Sequence, residues 1–113
     1  ADRGERLEES VTLIERAIAE DPHNGSYLDS LGWAYFKLNR FDLAESSLRA
    51  AGDQLQTNSV VQDHLGDLLN SMGKYAEAIE AWEHALSGDG DVIDPDAIER
   101  KIGVAERQIE EKR

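Results

Sequence analysis

The chain contains no cysteine, which excludes disulfides, thiolate metal sites and cysteine nucleophiles together. It has no run approaching the roughly 18 consecutive apolar residues of a membrane-spanning helix, so direct insertion into a bilayer is not expected. Clustered Lys and Arg are absent as well: 12 basic residues stand against 24 acidic ones, for a formal charge of −12. A field of that sign repels phosphate backbones and anionic lipid. Nucleic acid is therefore not an expected partner, and a basic or apolar protein segment is. Only two prolines occur, and each falls at a helix boundary. The opening residues, Ala1-Asp2-Arg3-Gly4-Glu5, lack the apolar stretch of a signal peptide. The missing initiator Met is expected of a piece taken from a longer protein.

What is present is regular. Over 113 residues, 40% are apolar and 32% charged, the composition of a folded domain with a modest core. The stretch from Gly25 to Val92 is one unit written twice. Leu31-Gly32 recurs as Leu65-Gly66, Asn39-Arg40-Phe41 as Gly73-Lys74-Tyr75, Ala44 as Ala78, Leu48 as Trp82 and Ala51 as Ala85, all at an offset of 34 residues. Apolar residues at three- and four-residue spacings predict helices over 5–20, 26–38, 41–53, 59–72 and 75–87. Asp94-Pro95 starts a sixth, an N-cap followed by proline at the first helical position. That helix carries one narrow stripe of Ile98, Ile102, Ala105 and Ile109, and the rest of it reads as charged surface. It suits the end of a stack, where a one-sided helix closes the core against water. Gly32 and Gly66 are expected where two helices cross, because a side chain there would force their axes apart.

Leu28-x2-Leu31-Gly32-x2-Tyr35 with Ala44, Leu48 and Ala51, and Leu65-Gly66-x2-Leu69 with Ala78 and Trp82, resemble the tetratricopeptide repeat. Gln62 and the loss of the unit-closing proline after Pro22 depart from its pattern. The resemblance implies an all-α, right-handed superhelix of helix-turn-helix repeats, six helices with a C-terminal capping helix. Residues 1–24 would be the second helix of a truncated repeat, 25–58 and 59–92 full repeats, and 93–113 the cap, all in one domain. The wording also resembles C-terminal repeats of bacterial multi-repeat proteins; it implies a soluble chain and leaves its compartment, bacterial cytoplasm or periplasm, open.

The resemblance also implies a function: binding a protein or peptide in a concave groove lined by the first helix of each unit, as a scaffold without catalysis. The family's groove positions fall here on Asp29, Trp33, Phe36, Lys37, Asp63, Asp67 and Asn70. Trp33 and Phe36 lie outside the core row and read as interface anchors, while the aspartates suit a Lys- or Arg-bearing segment. The alternative is self-association, a homo-oligomer formed through Leu7, Val11 and Ile14 of an uncovered first helix.

No catalytic, cofactor or metal site is expected. His64 and His84 have acidic neighbours but no H-E-x-x-H spacing. Asp89-Gly90-Asp91 begins like a calcium loop, yet the glycine and twelfth-position Glu that such a loop needs are missing. No nucleophile elbow, phosphate loop or dinucleotide fingerprint occurs.

Overall fold

A computed structural model describes residues 3–88 and 93–113, with side chains from Arg6 onward. The Asp89–Asp91 segment considered for calcium lies outside them. The described residues form six α-helices and no strand: α1 (Arg3–Glu20), α2 (Gly25–Lys37), α3 (Phe41–Gln54), α4 (Ser59–Ser71), α5 (Tyr75–Ser87) and α6 (Pro95–Glu111).

Local chemistry sets each boundary. α1 stops before Pro22, since the residue preceding proline is driven out of the α region. Asn24 caps α2 by accepting from Tyr27 N at 3.0 Å. Asn58 does the same for α4, accepting from Val61 N at 3.1 Å, and Asp94 for α6, from Ala97 N at 3.3 Å. α2 therefore begins at Gly25, ahead of the expected Ser26. The two tight turns also match each other. Asn39 (φ 61°) and Gly73 (φ 78°) take the left-handed conformation. Arg40 N then donates to Tyr35 O, and Lys74 N to Leu69 O, each at 2.9 Å. This is the six-to-one bond of a Schellman end, which asparagine and glycine enter most readily.

The chain divides into two compact units, Ala1–Leu55 and Gln56–Arg113. The expected repeats place their junction slightly later, at 58/59. In the first unit α2 and α3 form a helical hairpin, and α1 packs on α2. Leu31, Ala34, Tyr35, Ala44, Leu48 and Ala51 are buried there. Val11 is buried with them, only 5% exposed, and Leu7 and Ile14 are half-buried. The expectation that α1 leaves this stripe uncovered is thus corrected. α2, following in the chain, covers it, and the large apolar side chain that α1 does expose is Leu13.

In the second unit α4 and α5 form the equivalent hairpin, and α6 packs on α5. Trp82 is fully buried among Leu65, Leu68, Leu69, Ala78 and Ile98, all core residues of this unit. Gln62, standing where the repeat pattern has a large apolar residue, is also buried. Its Nε2 donates to Gln56 O at 3.4 Å, so its amide is not left without a partner.

The glycines at the helix crossings have the reason anticipated for them. A Cβ on Gly32 would lie 2.5 Å from Leu48 Cγ, and one on Gly66 within 2.9 Å of Trp82 Cε2 and closer still to Cδ1. Leu48 and Trp82 are the same repeat position, so each unit seats its largest fully buried second-helix side chain directly on the bare backbone of the first helix.

Candidate protein-binding surface

On α2, one side supplies core (Leu31, Ala34, Tyr35), and the next positions around the helix carry the candidate site. Asp29, Trp33 and Phe36 are half-buried and Lys37 is exposed. The Trp33 and Phe36 rings meet edge to face, with centroids 5.1 Å apart at 74°. Phe36 also leans on Phe41 of α3, at 5.7 Å and 59°. Lys37 Nζ stands 4.9 Å above the Trp33 ring, within reach of a cation–π attraction. The result is an aromatic ledge with one anchored ammonium. Its faces are partly open to solvent, and its orientation is fixed by neighbours on α2 and α3.

The same unit holds two polar ties that the repeat pattern did not reveal. Arg40 pairs with Glu8, and the Tyr35 hydroxyl donates to Glu15 Oε2 at 3.4 Å. Burial, and then the adjacent Glu15 charge, raise the Tyr35 pKa above its ordinary value. Both ties join α1 to the α2–α3 hairpin; Arg40 does recur as Lys74, but Tyr35 gives way to Leu69 and Glu15 to Arg49 at the 34-residue offset, so the periodicity names no partner for either tie.

On α4, Asp63, Asp67 and Asn70 are half-buried. The two aspartates are four residues apart and so share a helix face. That face is occupied from within the chain. Lys101 Nζ of α6 lies 3.0 Å from Asp63 Oδ1 and 2.8 Å from Asp67 Oδ1. Lys101, expected on the charged outer surface of α6, instead points at α4. Burial raises the Asp67 pKa, with the lysine hydrogen bond opposing and the Asp63 charge adding. For Lys101, burial lowers the pKa, but its bonds to both carboxylates outweigh this and the net shift is upward. Beneath the pair, the buried indole Nε1 of Trp82 has no hydrogen-bond partner of good geometry among the described residues. It lies near enough to Asp67 to favour the charged carboxylate.

The sequence did hold a signal for Lys101. Trp33, Asp67 and Lys101 stand 34 residues apart in succession. They occupy one position in three consecutive first helices, although α6 lacks the Leu-Gly pair that marks the other two. Among the described residues no group of three or more His, Asp or Glu is placed to hold a metal ion.

Comparison with known proteins accords with the repeated helical hairpins. Residues 26–51 and 61–88 each match a family model described as tetratricopeptide repeat. No curated protein matches the sequence. Among solved structures, MamA MSR-1 C2 superposes with a TM-score of 0.75 at 27% identity, over 92% of this chain and 58% of that one. MamA AMB-1 P212121 gives 0.74 at 28% identity, over 88% of this chain and 52% of that one. The Sgt2 TPR domain from Aspergillus fumigatus gives 0.81, over 96% of this chain and 71% of that one; at 24% identity it shows the fold alone. The chain thus carries two tetratricopeptide repeats. It spans little more than half the length of the MamA chains it resembles. Tetratricopeptide repeats are in general protein-interaction modules rather than catalysts, and among the described residues no helix is long and apolar enough to cross a membrane.

Proposed function

We propose that this chain binds a segment of another protein on the first-helix faces, the side that lines the concave surface of tetratricopeptide arrays, and performs no catalysis. The observation that carries the reading is the Trp33–Phe36–Lys37 ledge. Two aromatic rings are held in place yet left half-open, although Leu31, Ala34 and Tyr35 already supply the core. Large aromatics fixed beside a core without completing it are the usual anchors of an interface. Asp29 one turn earlier on the helix, and the net charge of −12, favour a partner bearing Lys or Arg next to an apolar side chain. The acids also weigh against a terminal carboxylate as the ligand, since like charges repel.

Site-specific photocrosslinking tests the proposal. A benzophenone amino acid in place of Lys37, exposed beside the ledge, is expected to trap a partner in a lysate of the source organism. The same group in place of Glu83, exposed on the second helix α5, is expected to trap none. Equal trapping from both positions would show that the first-helix face is not the working surface.

A further inference from the structure

In the second unit, the acids that would receive a cationic partner already hold a cation. α6 follows the α4–α5 hairpin as α4 follows the α2–α3 hairpin, and Lys101 stands at the register position of Asp67 and Trp33. Its ammonium takes a carboxylate oxygen from each aspartate, at 3.0 and 2.8 Å, and lies 6.0 Å from the Trp82 ring. These are the contacts that a lysine from a bound segment would make with α4. The lysine side chain is 35% exposed and those of Asp63 and Asp67 are 23% and 25% exposed, so the pair is open enough to water for exchange. α6 packs on α5 through its apolar stripe, with Ile98 and Ala105 buried and Ile102 and Ile109 half-buried. The lysine's hold on α4 is thus a separate contact beyond the packing of α6 on α5.

We infer that Lys101 is a built-in competitor, a pseudo-ligand by which the capping helix occupies Asp63 and Asp67, so that a Lys or Arg of a partner reaches them only by displacing it. The inference rests on the first-helix faces being the binding side, and adds how that side is regulated. Binding at α4 becomes selective for partners whose cation outcompetes one already in place. A modification that removes the Lys101 charge, such as acetylation, opens the α4 half of the surface and leaves the α2 ledge untouched.

The test measures binding of acetyl-tetralysine amide by titration calorimetry at low ionic strength. Lys101→Met bares the acids, Lys101→Arg keeps them occupied, and Arg100→Met makes the same change of net charge at an exposed neighbour on α6. Lys101→Met is expected to bind roughly two- to fivefold more tightly than Arg100→Met, the range set by a partly exposed ion pair. Lys101→Arg should bind like the parent chain, and adding Asp63→Asn and Asp67→Asn to Lys101→Met should remove the gain. Equal affinity of the two Met variants, or no binding by Lys101→Met, overturns the inference. Because a Met variant could loosen α6, the parent chain is also titrated with the peptide while the Lys101 Nζ resonance is followed by NMR. Movement toward the position of a solvated lysine supports displacement, and a stationary resonance contradicts it. The crosslinking at Lys37 reads the α2 ledge independently. Trapping there with no Lys101 effect refutes only the competitor, and a Lys101 effect without trapping refutes the ledge.

Discussion

Gly66→Ala and Gly103→Ala change the same residue type in helices of the same unit, and they should have opposite effects. In an exposed helix, alanine is favoured over glycine by about 0.8–1.0 kcal/mol. At Gly103 that gain is unopposed, because the nearest atom to a new Cβ is Arg107 Nη1, the end of a flexible side chain 4.0 Å away. Gly103→Ala should therefore stabilise by about 1 kcal/mol. At Gly66 the new methyl would enter the Trp82 ring. That indole is only 1% exposed and cannot swing aside, so the helices must separate. Overpacking costs about 1–3 kcal/mol in general, and a methyl pressed on a ring that cannot move falls in the upper part of that range, about 2–3 kcal/mol. Set against the propensity gain, Gly66→Ala should come out destabilised by about 1–2 kcal/mol. Urea unfolding followed by far-UV circular dichroism reads both variants, with the m-value checking that the extent of unfolding is unchanged. A Gly66→Ala chain as stable as the parent would refute the claim that the crossing requires a residue without a side chain.

Other consequences follow from particular contacts. Loss of the caps in Asn24→Ala and Asn58→Ala should each cost about 1 kcal/mol, lowering the melting temperature by about 4–8 °C, as calorimetry would show. Val11→Asp should destabilise the first unit by about 3 kcal/mol or more through a buried unpaired charge, whereas Leu13→Glu should stay within about 0.5 kcal/mol. If Val11→Asp instead dissolves a dimer of otherwise unchanged stability in sedimentation, self-association through α1 is the correct account. The Asp67 carboxyl should titrate above the ordinary 3.8 when followed by carbon NMR, and higher still in Lys101→Met, where the opposing ammonium is gone. The sign for stability follows from the shift. A raised carboxyl pKa means the folded chain binds that proton more tightly, so this group favours folding at pH below the ordinary value and loses that contribution as pH rises through the raised one. The raised Lys101 pKa acts at the other end, its contribution present below 10.5 and lost as pH climbs through the folded value.

The repeat was legible because its determinants are local and periodic. Leu31-Gly32 and Leu65-Gly66 announce helix crossings, Asn39 and Gly73 announce left-handed ends, and both pairs recur in phase. Helix existence followed from the same spacing, while exact starts depend on the cap: with Asn24 capping it, α2 begins at Gly25 rather than at the expected Ser26. Partners fixed by tertiary packing were harder to read. Whether the stripe of Leu7, Val11 and Ile14 is bare depends on which helix lies against it, and α2 proves to cover it. Composition placed Lys101 among the charges of α6, since one lysine on a charged helix is indistinguishable from surface until the direction of its side chain is known. Asp63 and Asp67 were read as acids awaiting a partner for the same reason. The ledge of Trp33 and Phe36 was foreseeable because both rings fall beside, rather than within, the core row of α2.

The most direct measurement of the central claim is affinity capture from a lysate of the source organism, comparing the parent chain with an Asp29→Lys/Trp33→Ala variant. That variant removes the aromatic anchor and reverses the nearby charge without touching the Lys101 pair, and its circular dichroism spectrum should match the parent's. The account predicts a set of proteins captured by the parent and lost by the variant. Identical capture by both would contradict it.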